Sequence, residues 1–147
     1  RAEWALLLLD SSVPEAGHGA LGPESLAFLD DALARYADSH ALVVLHHQPV
    51  PSGCLWLDQI MLQEPGRLLA LLARHDNVRG LLWGHVHQAH DSLRDGVHYM
   101  STPSTCFQFL PASERFALDD RPPAYRWLHL YPDGRVESRV VWLPPPG

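Results

Sequence analysis

The chain has 147 residues, with 46% hydrophobic and 19% charged side chains and a formal charge of −6. It is long enough to bury a core of its own and too apolar for a disordered tail. No apolar run approaches the roughly 20 residues of a membrane span. The acidic balance excludes a nucleic-acid backbone or an anionic membrane surface as the expected partner.

Lysine is absent, isoleucine and asparagine occur once each, and there are ten histidines and two cysteines. Two cysteines without a secretory leader read as free thiols in the cytoplasm, and both Cys54 and Cys106 are expected to be buried. Residue 1 is arginine, and a strand pattern follows almost at once, which suggests a piece of a longer chain.

In chain order, Trp4 to Leu9 reads as a buried strand ending in the turn signal Asp10-Ser11-Ser12. Pro23 and Glu24 open a helix whose face is Leu26, Leu29, Leu33 and Tyr36. Ala41 to Leu45 is a second buried strand, followed by an irregular loop from Val50 to Leu62. Leu68, Leu69, Leu71 and Leu72 mark a second helix. Val78 to Trp83 is a third buried strand. Strand, helix, strand, helix, strand predicts a parallel βαβαβ unit with right-handed crossovers. Two antiparallel hairpins follow. Ala89–Leu93 and Val97–Met100 flank Asp95-Gly96, and Tyr125–Tyr131 and Arg135–Trp142 flank Asp133-Gly134. Between them, Pro111 to Pro123 reads as a surface loop. The domain is expected over residues 1–143, with 144–147 as a tail.

Parallel sheets gather ligands at the carboxyl ends of their strands. The second strand ends in His46-His47-Gln48-Pro49 and the third in Gly84-His85-Val86-His87. Neutral imidazoles ligate zinc, manganese and iron. Gly84 is expected to bend the backbone so that His85 and His87 both turn inward. A short motif of this kind often arises without function, but two such clusters on neighbouring strand ends favour a metal site. His18, His75, His90, His98 and His129 read as ordinary histidines.

The residues that carry these patterns resemble a known family. They are Leu9-Asp10-Ser11, Leu45-His46-His47-Gln48-Pro49, Pro51-Ser52-Gly53-Cys54-Leu55-Trp56-Leu57-Asp58-Gln59, Trp83-Gly84-His85-Val86-His87-Gln88 and Thr102-Pro103-Ser104-Thr105-Cys106. Together they are similar to the second half of the calcineurin-like metallophosphoesterases, and more narrowly to bacterial class III 3',5'-cyclic-AMP phosphodiesterases. The acidic motifs of that family's first half are absent. Asp38-Ser39-His40 spells one of them but stands before a strand where the family motif follows one.

The resemblance implies an α/β fold: a partial metallophosphoesterase sandwich whose N-terminal half is missing. It implies two metal ions in the intact enzyme, iron or manganese first and zinc as a third candidate, sharing a hydroxide that attacks the phosphodiester. His46 and His85 would hold one ion and His87 the other. His47 would be catalytic or substrate-facing, although sequence alone allows His46 and His47 to exchange roles. Trp56, Asp58 and Ser104 would line the substrate. Each also has a plainer reading, Trp56 as a loop anchor on the core and Ser104 as a turn closer. The implied partner is a small cyclic nucleotide, hydrolysed to 5'-AMP, with neither nucleic acid nor membrane involved. Alone, this half is expected to be inactive. The face left by the missing half is expected to be covered in a homodimer or higher oligomer. The alternatives are another phosphoester as substrate, or a non-catalytic metal- or partner-binding module.

Overall fold

The computed structural model describes residues 3–144, so residues 145–147 of the expected tail lie outside the described residues. β1 (Trp4–Leu8), β2 (His40–Leu45) and β3 (Val78–Trp83) are joined through α1 (Pro23–Arg35) and α3 (Pro65–Leu72). They run parallel, as the alternation predicts. The loop after β2 is less irregular than expected, for it holds a one-turn helix, α2 (Leu55–Asp58).

The first hairpin, β4 (His90–Arg94) and β5 (Val97–Ser101), joins the same sheet. β5 lies parallel to β3 and β4 closes the far edge, giving the order β1-β2-β3-β5-β4. Asp95 and Gly96 both take positive φ (50° and 79°), as a two-residue turn matched to strand twist requires. The expected surface loop holds one strand of a small ladder, β7 (Leu118–Asp119), which pairs with β6 (Gln108–Phe109) just before the loop. The second hairpin, β8 (Ala124–Leu130) and β9 (Val136–Trp142), forms a two-stranded sheet of its own.

The five-stranded sheet has two covered faces. On one, Ala5, Leu7, Val43 and Leu81 pack against Leu29 and Leu33 of α1 and Leu68 and Leu72 of α3. Tyr36, expected on that helix face, is exposed because the helix has already ended at Arg35. The single asparagine binds this layer together: Asn77 Nδ2 lies 3.0–3.3 Å from the carbonyls of Leu33, Tyr36 and Ser39. On the other face, the β8–β9 hairpin lies over Leu42 and Met100 with Val136, Leu128 and Leu130. Arg126, its side chain only 4% exposed, fastens the hairpin to the sheet. It donates to the Ser101 and His90 carbonyls at 2.9 Å and pairs with Asp91.

β1 departs from the expected buried strand. It pairs on one side only among the described residues, and Trp4 is the residue of β1 that packs with the hairpin's apolar cluster. Leu6 and Leu8 are therefore 56% and 70% exposed.

Candidate metal centre

The carboxyl ends of β2 and β3 are adjacent strand ends, so the two histidine clusters meet. The structure brings together His46, His47 and His85, one ring nitrogen of each lying within 4.8 Å of the others. His85 Nδ1 stands 3.2 Å from His46 Nε2. The His47 ring centroid is 4.6 Å from that of His85 and 4.8 Å from that of His46. His46 is exposed, His85 half-buried and His47 buried beneath them.

The bend after β3 differs from the expected one. Positive φ falls on His85 (61°) and His87 (50°) themselves. Left-handed backbone is costly for a residue with a Cβ and clusters at functional sites. His85 meets His46, whereas His87 lies against Phe107 and Phe109. His87 stands outside the three-histidine group. Its Nδ1 donates to the Phe107 carbonyl at 2.9 Å, and its ring stacks on Phe109 at 4.3 Å. That bond fixes the tautomer and leaves Nε2 with its lone pair, the arrangement seen in metal-ligating histidines.

His47 is held by Ser11 and Gly19. Ser11 Oγ lies 2.8 Å from His47 Nδ1 and accepts the His47 backbone N–H at 3.3 Å. Gly19 passes directly over the ring, where an added Cβ would stand 2.3 Å from Nδ1. Gly19 carries no local signal, and Ser11, although part of the family-like Leu9-Asp10-Ser11, reads by itself as a turn residue.

The electrostatics favour neutral imidazoles. Burial, and then the neighbouring imidazoles of His47, His46 and His87, push His85 down to about 4. Burial and then His46 lower His47, and burial lowers His87. His85 Nε2 is buried without a hydrogen bond of ordinary geometry, the Ile60 backbone favouring a proton on the ring less than burial and the other imidazoles disfavour it. Lone pairs gathered where protons are disfavoured fit a cation. The group contains imidazoles only, enough for part of one coordination shell.

The three expected substrate residues have other partners among the loops. Trp56 is half-buried, edge-on to Phe109 at 4.8 Å and to Phe116 at 5.3 Å. Asp58 is committed to its own loop. Its Oδ1 accepts the Ser52 N–H and hydroxyl at 2.7 and 2.8 Å, and its Oδ2 the Gly53 N–H at 3.1 Å. Ser104 Oγ accepts the Cys106 N–H at 3.0 Å. Of the two thiols, Cys54 is buried as expected, whereas Cys106 is exposed because its loop runs outside the core. His40, the histidine of the misplaced Asp-x-His, stands at the opposite end of β2 from His46, against Trp4.

No protein-family profile matches the chain. Curated proteins do. A 3',5'-cyclic adenosine monophosphate phosphodiesterase of Pseudomonas aeruginosa is 44% identical over 93% of this chain and 50% of its own length. That of Escherichia coli is 43% identical over 94% and 50%. A 3',5'-cyclic-nucleotide phosphodiesterase of Nostoc is 36% identical over 98% and 54%. Among solved structures, a dimetal phosphatase from Danio rerio matches with a TM-score of 0.55 at 22% identity. It covers 84% of this chain and 39% of that one, and it shows the fold: part of a dimetal-phosphatase sandwich. The chain spans about half the length of the curated relatives it matches. More than nine-tenths of this chain's own length is similar in sequence to these bacterial cyclic-nucleotide phosphodiesterases.

Proposed function

We propose that this chain is the C-terminal, imidazole-bearing half of a metal-dependent phosphodiesterase that converts 3',5'-cyclic AMP to 5'-AMP. The observation that carries the reading is the convergence of His46, His47 and His85 at neighbouring strand ends. Homology to cyclic-AMP phosphodiesterases over nearly the whole chain supports the substrate. Bound metal ions supply Lewis-acid stabilisation of the phosphoryl oxygens and an activated hydroxide. His46 and His85 are suited to hold one ion, since their facing nitrogens are 3.2 Å apart. His87 is suited to hold another through Nε2, its Nδ1 being engaged by Phe107. Iron or manganese suits the reading first, and zinc suits imidazoles as well.

His47 has two candidate roles. Its burial and its Ser11 partner suit a positioned imidazole that holds a proton near the phosphoryl group. Its ring nitrogen within the group of three suits a ligand. The two roles separate on one variant: loss of turnover with metal affinity kept supports the first, and weakened metal binding supports the second.

The half that the chain does not span would supply the remaining ligands, so this chain alone is proposed to be inactive. That half, or a second copy in a homodimer or higher oligomer, would cover Leu6 and Leu8. A cytoplasmic location goes with this reading, since two unpaired cysteines suit a reducing compartment. No helix among the described residues is long and apolar enough to cross a membrane.

The test is hydrolysis of cyclic AMP by the intact protein that contains this chain, assayed with manganese or ferrous iron. Metal-dependent release of 5'-AMP, abolished by His46→Ala and by His85→Ala, is expected. Turnover that survives both substitutions overturns the proposal.

A further inference from the structure

The loops beside the histidines expose aromatic rings where polar loop residues would be ordinary. Phe107 is 44% and Phe116 63% exposed. They belong to one connected cluster that starts at the candidate metal ligand. His87 stacks on Phe109, Phe109 meets Phe107 at 5.6 Å and Phe116 at 5.7 Å, and Trp56 backs both Phe109 and Phe116.

The cluster is held in place. The buried thiol of Cys54, at the start of α2, donates to the Leu110 carbonyl at 3.1 Å and accepts the Ser113 N–H at 3.4 Å. The Leu110 N–H donates to the Ala117 carbonyl at 2.9 Å and closes the loop below Phe116. The exposed rings are thus fixed on a wall rather than carried on a loose tip.

We infer that this wall is the seat of the substrate's nucleobase, with Phe116 and Phe107 as the rings that meet it. The inference rests on the proposed function and deepens it. A nucleotide needs a polar, cationic place for its phosphate and a flat apolar place for its base, about one sugar away. Here the histidine group with a metal ion bound would provide the first and the exposed rings the second, with His87, next but one to His85 in the chain, stacked on Phe109 between them. Stacking suits every base and is worth about tenfold or more in affinity for one ring. Trp56 is the support of this wall, its ring already packed edge-on against two phenylalanines. On this inference Phe116 meets the base directly, and Trp56, which the resemblance places along the substrate, stands behind it.

The experiment compares 5'-AMP with ribose 5-phosphate, its base-free counterpart, by calorimetry on the manganese-loaded intact protein. The parent protein is expected to bind 5'-AMP at least tenfold more tightly. Phe116→Ala and Phe107→Ala are each expected to weaken 5'-AMP about tenfold and ribose 5-phosphate by less than twofold. Phe116→Tyr should restore 5'-AMP binding and Phe116→Leu should not, which separates stacking from folding. Equal binding of the two ligands by the parent, or equal weakening of both in the variants, overturns the seat. Cyclic-AMP hydrolysis measured alongside reports the enzymatic reading independently. Hydrolysis with no base preference sinks the seat alone. Base preference without hydrolysis supports the seat and sinks the activity.

Discussion

The hydroxyl of Ser11 lies 2.8 Å from Nδ1 of His47 and ties the turn after β1 to the end of β2. Both residues are buried, so neither has water as a substitute partner. Ser11→Ala leaves a buried imidazole nitrogen unpaired, at a cost of about 1–2 kcal/mol. Urea unfolding should show that loss, and the intact protein's cyclic-AMP turnover should fall about tenfold. Gly19→Ala forces the ring aside and should lower turnover at least as far.

Metal binding is expected to follow the geometry. Calorimetric titration of the EDTA-treated chain with zinc should give one site that weakens tenfold or more in His46→Ala and in His85→Ala. His129→Ala is the control, because that ring stacks on Tyr131 away from the group. Equal affinity in all three variants would show that the imidazoles converge without holding metal.

Stability should depend on pH in a direction that the depressed histidines set. His85 titrates near 4 when folded and near 6.5 when free, and His47, His87 and His90 are lowered in the same sense. Protons therefore favour the unfolded chain. The stabilisation is complete above about pH 6.5 and is lost as pH falls below it toward 4. The lowered carboxylates of Asp10, Asp30, Asp119 and Asp133 act only near and below the ordinary carboxylate range, so they do not mask this window. The melting temperature of metal-free chain should fall between pH 7 and pH 5, and His85→Ala should flatten the fall. A melting temperature that rises on acidification contradicts the assignment.

Arg126 is expected to decide whether the last hairpin stays on the sheet. Arg126→Met keeps the apolar stem and strips the donors from the Ser101 and His90 carbonyls. Losses of about 3 kcal/mol follow if both carbonyls go unpaired. Amide exchange should accelerate in β8 and β9 before it does in β2 and β3.

Leu6 and Leu8 predict association. At micromolar concentration the chain should scatter light as a dimer or larger, and Leu6→Ser with Leu8→Ser should return it to a monomer. A monomeric parent chain would leave those leucines to the half it does not span.

Much of the fold is legible locally. The 3.6-residue period of α1, the apolar runs of β1, β2 and β3, and the Asp-Gly turns each reflect forces within a few residues. The histidines at the ends of β2 and β3 are legible for the same reason, because a strand end fixes where its next residues go. Their grouping is less so. Whether His47 or His87 joins His46 and His85 depends on two positive φ values that no residue type announces. Ser11 and His47 are 36 positions apart. Arg126 reaches 25 positions back to Ser101 and 36 back to His90. Contacts of that length are written in packing, and a reading of periods and motifs does not see them. The exposure of Leu6 and Leu8 escapes it too, since an apolar strand looks the same whether its outer face is covered or bare.

The left-handed turns at His85 and His87 have a consequence for descent. Glycine or asparagine relaxes such a backbone, so a histidine is the less comfortable choice there. A copy of this gene released from its task would gain stability by drifting to glycine at either position. Retention of imidazole at both, in a lineage otherwise free to change, would be a fossil sign of continued use, legible without an assay.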